Sequence, residues 1–364
     1  MKVVASALVA VLVGTFLWDG AVTINAQARR GGSFDAPSTR SSGLSSTALH
    51  VCHAGSLLAA FTQIEEEFKK QHPNVAIADT SGGSVDLVRR FAAGRLECDV
   101  IAPADHLVID AMLKPAQLAD YSIVFASGRM VLAYLATDPR ARGLPVTGSF
   151  APPSSVPQVA AGWYDVLTAP GVRISGAHAF MDPGGYRAHM IFELAQAHYK
   201  VPGLQNAFLQ HYQVNVADPS RPAPALGKDF SFQFTYEHNA ARTAKQDPSY
   251  RYAMLPSEID LSRDLARKGV SSDAPASIVI PGLGIPGTAP SVTITASRVE
   301  WGVTVPVKNR NRDNAVAFVA LLLGSSGRDA LNAAGPAPTL PARVTREDSE
   351  RLPPALRALT RRDR

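Results

Sequence analysis

The sequence predicts an α/β protein of two lobes, each a mainly parallel sheet flanked by helices, with a ligand cleft between them. Three observations carry this. From Ala48 onward, apolar strand-like runs alternate with helical periodicity, and that βαβαβα order builds a parallel sheet covered by helices. Four junctions set a small polar or acidic residue where a strand hands over to a helix: His53-Ala54-Gly55-Ser56, Gly82-Gly83-Ser84, Asp182-Pro183-Gly184-Gly185-Tyr186-Arg187 and Tyr236-Glu237-His238. Such positions lie beyond the carboxyl ends of strands, where open α/β sheets bind ligands. A length of 364 residues suits two domains of ordinary size.

The elements follow in chain order. Leu49–Cys52 is a short apolar run, read as a buried strand. Leu57, Phe61, Ile64 and Phe68 repeat at helical spacing, with Ser56 at the N-cap position. Val75–Ala78 is a second strand. Ser84 caps a helix carrying Val88 and Phe91, which Gly94 ends. Asp99–Ala102 is a third strand, followed by a helix through Leu107 and Met112. Met130–Leu135 reads as a buried strand, and residues 138–162 as a long loop rich in Pro, Gly and Ser. Asp182 as N-cap with Pro183 at the first helical position starts a helix through Tyr186, Ile191, Leu194 and His198. Phe230, Phe232, Phe234 and Tyr236 alternate with Ser231, Gln233 and Thr235, a strand with a core-facing aromatic stripe that ends at Glu237. Residues 269–291 form another Pro/Gly-rich loop, Val299–Val305 a strand, and Ala315–Leu323 a helix ended by Gly324. Pro336, Pro338 and Pro341 close the fold. One lobe then comprises residues 48–126 and 306–343, the other 127–305, with crossings near Ser127–Tyr134 and Glu300–Val305.

The ends differ from the body. Lys2, the apolar run Val3–Trp18 and Ala26-Gln27-Ala28 make residues 1–28 an export signal, cleaved or retained as an anchor, and set the protein in the periplasm or outside the cell. Residues 29–47, rich in Ser, Gly and Arg, form a disordered leader. The formal charge of +5 belongs to the ends. Lys2, Arg29, Arg30 and Arg40 outnumber Asp19 and Asp35, and seven arginines from Arg343 onward face Glu347, Asp348, Glu350 and Asp363. The body is near neutral, without the basic patch a nucleic-acid partner requires. Residues 344–364 are expected as a charged, solvated tail. Cys52 and Cys98 leave two states open, a disulfide or two buried thiols; adjacent parallel strands seldom offer the geometry of a bridge.

Helix N-termini with unpaired N–H groups attract oxyanions, yet Asp182 and Glu237 would repel one. His53-Ala54-Gly55-Ser56-Leu57, Gly83-Ser84-Val85, Ala102-Pro103-Ala104-Asp105, Asp182-Pro183-x-Gly185-Tyr186-Arg187 and Tyr236-Glu237 together resemble the tungstate/molybdate-binding proteins of ABC importers, in their archaeal-type tungstate-binding branch. The resemblance spans residues 48–342. It implies the two-lobed periplasmic-binding-protein (type II) fold with the ligand in the interlobe cleft. It also implies no enzymatic activity, no cofactor, and a monomer that delivers tungstate or molybdate to a membrane permease. Ser56 and Ser84 would donate to the oxyanion, and the backbone around Gly55 and Met181 would face it. Asp182 and Glu237 would approach the metal centre, completing a six-coordinate shell that sulfur cannot form. Glu258 matches a further recurrent segment. Gly184 stands where the family usually has Cys, so any contact from that side chain is lost.

Other readings stay open. The oxyanion could be sulfate or phosphate. Asp182, Glu237, His189 and His238 include ligand types for a metal cation. Asp182 and Glu237 could pair as in a secreted glycoside hydrolase, although Gly55-Ser56 lacks the G-x-S-x-G elbow. His53 reads as a satisfied structural histidine, and Tyr186 and Arg187 as supports for their loop.

Overall fold

The computed structural model describes residues 48–144, 159, 162–214, 225–264 and 276–363. The expected export signal and leader lie outside them. Among the described residues, no helix is long and apolar enough to cross a membrane.

The chain opens with β1 (Leu49–Ala54), a 3-10 turn at Gly55–Leu57, α1 (Leu58–Gln71), β2 (Ile77–Gly82), α2 (Ser84–Ala92) and β3 (Val100–Ala102). A short α3 (His106–Val108) follows and runs into a π-helical turn, Ile109–Leu113. β1 lies between β2 and β3, parallel to both. Helix α1 forms because Phe61, Ile64 and Phe68 fall on one face, and all three are buried; each contributes about 1.5–3 kcal/mol of apolar transfer. β4 (Ile123–Gly128) then leads directly into β5 (Met130–Leu135), where the chain passes to a second sheet.

That second sheet has the order β7-β6-β8-β5-β9. Its strands are β6 (Ile174–Gly176), β7 (Tyr212–Val214), β8 (Phe232–Tyr236) and β9 (Tyr250–Met254), with β5. Between them lie α4 (Trp163–Leu167), α5 (Pro183–Tyr199), α6 (Leu204–His211) and α7 (Glu237–Gln246). Phe232 and Phe234 are buried while Gln233 and Thr235 are partly exposed, as the alternation predicts. Phe234 and Phe192 pack with Trp163 and Phe208 in one aromatic cluster. A hairpin of β10 (Ser277–Pro281) and β11 (Ser291–Thr295) packs against α5. Of the stretch 269–291 expected as loop, Ser277–Pro281 is a strand and Ser291 starts another, and residues 269–275 lie outside the described ones.

β12 (Val299–Val303) pairs antiparallel with β4, and a single bridge from Thr304 to Ile101 joins this ladder to β3. The return crossing thus falls between β11 and β12, earlier than the Glu300–Val305 expected. α8 (Arg312–Leu323) and α9 (Ser325–Ala334) follow, the latter unmarked in the sequence reading because Gly324 reads as a stop. β13 (Ala337–Val344) completes the ladder beside β4. The parallel pairings hold for β1–β3 and β6–β8, but β4 and β5 run antiparallel to their neighbours. The sheets are mixed because these two strands are the crossing itself.

The last residues are not a solvated tail. α10 (Arg346–Arg351), α11 (Pro354–Arg357) and β14 (Thr360–Arg362) follow β13, and β14 pairs parallel with it. Leu352 and Leu356 are buried. Asp348 is fully buried and accepts from Lys114 Nζ at 2.8 and 2.9 Å and from the Ser122 amide at 3.1 Å. Two apolar anchors and one buried acid outweigh the arginine count.

Cys52 and Cys98 are joined by a disulfide, with their Cα atoms 5.7 Å apart. Cys98 precedes β3 rather than lying within it, so the bridge escapes the strand-to-strand geometry that argued against it. It closes a separation of 46 residues. Replacing both by serine is expected to cost about 2–4 kcal/mol in urea unfolding, with the fold retained.

Candidate functional site

The carboxyl ends of β1, β2, β6 and β8 meet the amino end of β5 around a cavity of about 200 Å³. Gly55, Ser56 and Ala104 line it from the first sheet, and Asp182, Gly184 and Tyr236 from the second. The volume lies below the range for drug-sized ligands and suits a small solute.

The structure brings Gly55, Ser56 and Asp182 to this cavity, while Ser84, Met181 and Glu237 are outside its lining. Ser56 sits in the 3-10 turn, where it caps nothing. Its Oγ accepts from the indole N–H of Trp301 at 3.0 Å, which leaves the hydroxyl proton to donate. Ser84 is the first residue of α2, not its cap. Its Oγ is buried and accepts from the Ala104 amide at 2.9 Å. Met181 is exposed, and its carbonyl accepts from the Val85 and Asp86 amides, each at 3.1 Å. The α2 N-terminus, expected to face an anion, is thus occupied by a carbonyl of the other lobe.

Asp182 caps α5, with Oδ1 accepting from the Gly184 amide at 2.7 Å. Burial pushes its carboxyl above the ordinary aspartate value, an effect only partly offset by that bond and by Arg187. Glu237 begins α7 outside the cavity lining, 3.2 Å from Arg129 Nε. Burial raises its carboxyl too, against Arg129. Glu258 is exposed, 3.9 Å from Arg263 and away from the cavity. Among the described residues, Asp182, Glu237, His189 and His238 form no cluster of cation-ligand atoms.

Sequence reading underrated the residues that hold the two walls together. Arg187, buried on α5, donates to the Ala104 carbonyl at 2.7 Å and the Tyr236 hydroxyl at 2.9 Å, and lies 3.2 Å from Asp105. Tyr186 donates to the same Asp105 oxygen at 2.6 Å. Asp105 uses its other oxygen to cap α3 through the Leu107 amide. Arg89 of α2 reaches the carbonyls of Phe180 at 2.6 Å and Gly282 at 2.9 Å, and that of Pro281. His238 Nε2 donates to the Ser56 carbonyl at 3.0 Å. Arg187 and Tyr186 are therefore bridges between lobes, not local supports. Their adjacency to the Asp-Pro helix start was the available signal.

The pattern of bacterial extracellular solute-binding proteins matches residues 49–336. The chain belongs to that family. Its members are non-enzymatic, extracytoplasmic components of ABC importers, which sets aside the hydrolase reading. Among relatives, an uncharacterized solute-binding protein of Methanoculleus marisnigri is 27% identical over 323 residues, covering 81% of this chain and 82% of that one. The molybdate/tungstate-binding protein WtpA of Thermococcus kodakarensis is 26% identical over 307 residues, covering 78% and 79%. The sulfate-binding protein SubI of Mycobacterium tuberculosis matches in structure at a TM-score of 0.52 and 13% identity, covering 86% and 89%. That likeness shows the two-lobed periplasmic-binding-protein fold.

His238 generates a pH prediction. Burial, chiefly, lowers its imidazole to about 4, below the unfolded value of about 6.5. The neutral ring therefore contributes stability above pH ~6.5 that is lost as pH falls toward 4, on the order of 3 kcal/mol. Denaturant unfolding of a His238→Gln chain is expected to show a flatter pH dependence across that window than the native chain.

Proposed function

We propose that this solute-binding protein captures tungstate or molybdate between its lobes and, acting as a monomer, delivers it to an ABC permease. The observation that carries the reading is the chemistry of the cavity. Ser56 faces it with a hydroxyl whose oxygen is already engaged by Trp301, and Asp182 presents a desolvated carboxyl from the opposite wall. Ser84 accepts from the amide of Ala104, which lines the cavity, and is the second hydroxyl donor on this reading. A sulfate, with no proton to donate, gains nothing from a carboxylate, and a hydrogen phosphate gains one hydrogen bond at most. A large, high-valent metal centre takes hard oxygen donors, so Asp182 and Glu237 add to its four oxygens. Glu237 reaches the centre by exchanging Arg129 for it. The likeness to WtpA supports the same solute.

Calorimetry with tungstate, molybdate, sulfate and phosphate tests this. Tungstate and molybdate are expected to bind at least about a hundredfold tighter than sulfate, roughly 2.7 kcal/mol. Asp182→Ala and Glu237→Ala should each weaken tungstate by at least about tenfold, roughly 1.4 kcal/mol. Sulfate binding as tight as tungstate would sink the six-coordinate site, and a silent Glu237→Ala would remove Glu237 from it.

Closure makes a separate prediction. A Cβ on Gly83 would lie 2.7 Å from the Met181 carbonyl oxygen, although the backbone there (φ −67°, ψ 124°) admits any residue. Gly83→Ala should fold, melt at a lower temperature as the Met181 contacts are lost, and bind tungstate about tenfold weaker or worse, since the methyl wedges the walls apart.

A further inference from the structure

A second group of ligating side chains lies behind the cavity, inside the first lobe. His53 on β1, Glu65 on α1 and Asp79 on β2 each aim one donor atom at a common point, all within 4.8 Å of one another. Nothing in the oxyanion chemistry uses them.

The state of His53 is decided by its neighbours. Its Nδ1 lies 2.8 Å from the Ala54 carbonyl oxygen. A carbonyl only accepts, so Nδ1 carries the proton and a neutral ring has its lone pair on Nε2. Nε2 lies 2.9 Å from Asp79 Oδ1 without the alignment of a hydrogen bond. Its side chain is fully buried, so no bulk water relieves it. Glu65 Oε1 is likewise buried without a hydrogen-bond partner. His53 is thus not the satisfied histidine expected from its sequence. An electron pair from each converges where either a proton shared between the two carboxyls or a cation would sit.

We propose that His53, Glu65 and Asp79 form a binding site for a divalent transition metal of the zinc type. One imidazole and two carboxylates suit zinc better than calcium or magnesium, which prefer all-oxygen shells. Donors about 2.0–2.2 Å from a tetrahedral zinc sit about 3.3 Å apart, so the triad needs only small side-chain adjustments. The Nδ1–H bond to Ala54 is the outer contact that orients a metal-bound histidine. Asp79 is the entry point, since its side chain is 32% exposed, and a water would complete the shell there. Lys69 is the nearby cation and Phe61 packs on the imidazole. The metal would tie the edge strand β2 to α1 and to β1, two residues before Gly55.

The test uses the chelator-treated full chain, free of oxyanion, titrated with zinc chloride and followed by calorimetry and thermal melting. One equivalent should bind and raise the melting temperature by several degrees. Glu65→Gln and Asp79→Asn should each weaken zinc at least about tenfold. Asp110→Asn, in the separate His106–Asp110 pair, should leave the zinc affinity unchanged. Absence of saturable binding by the native chain overturns the proposal. So does native affinity in Asp79→Asn, whose exposed position keeps folding out of the question if Glu65→Gln does not fold. Cobalt(II) substitution should give the visible absorption of a four-coordinate centre, and six-coordinate spectra would overturn the tetrahedral assignment. The oxyanion affinity enters none of these readouts, so this site and the tungstate site stand or fall separately.

Discussion

One buried guanidinium holds the two walls of the cleft in register. Arg187 comes from the second lobe, and its partners Ala104 and Asp105 come from the first. The charge has no solvent around it, so it is tolerable only while those partners are present. Losing one side of such a buried pair typically costs about 3–5 kcal/mol. The same side chain holds the Tyr236 hydroxyl at the end of β8, and Tyr236 lines the cavity. Asp105 shares one oxygen with Tyr186 and spends the other on capping α3. Closure and site geometry are thus set by one network.

Around it, the lobes meet through backbone groups that a helix would otherwise leave unpaired. The Met181 carbonyl takes two amides at the start of α2. Arg89, from the last turn of α2, takes carbonyls from the loop before α5 and from the β10–β11 hairpin. Helix ends carry partial charges that seek partners. Here the partner at α2 is the opposite wall, which makes contact between lobes compete with anion binding at that end. Of the predicted side chains, the cavity lining keeps the Ser56 hydroxyl and the Asp182 carboxyl.

Local pattern made much of this legible. The Asp182-Pro183 start, the alternation into Tyr236 and the apolar run Met130–Leu135 all appear as elements with those signals at their ends, because each is written in neighbouring residues. The serines show where local reading stops. A Ser at a strand–helix junction looks like a cap, yet Ser56 and Ser84 bond groups 245 and 20 residues away. The Arg187 bonds to Ala104 and Tyr236 span 83 and 49 residues. No periodicity encodes such pairings. The folded end was hidden for a related reason: seven arginines dominate its composition, while Leu352, Leu356 and Asp348 decide its fate by what they meet elsewhere. Cys98 escaped by one detail, its place just outside β3.

The acids of the cleft can now be weighed by charge. Asp182 is desolvated, with one backbone amide bond and Arg187 at a distance; Glu237 is balanced by Arg129. A doubly charged anion entering beside both would meet two like charges if neither rearranged. On the proposed reading, Glu237 leaves Arg129 for the metal centre, and the released guanidinium remains beside the cleft as a counter-charge. Arg129 lies between β4 and β5, at the crossing itself, so its position does not depend on which acid it faces. Asp260 gives it a second carboxylate at 3.8 Å, which keeps the arginine in place while Glu237 moves. On that reading, ion exchange of this kind would let one pair of carboxylates reject a simple anion and accept a coordinating one, because only the latter repays the broken Glu237–Arg129 contact.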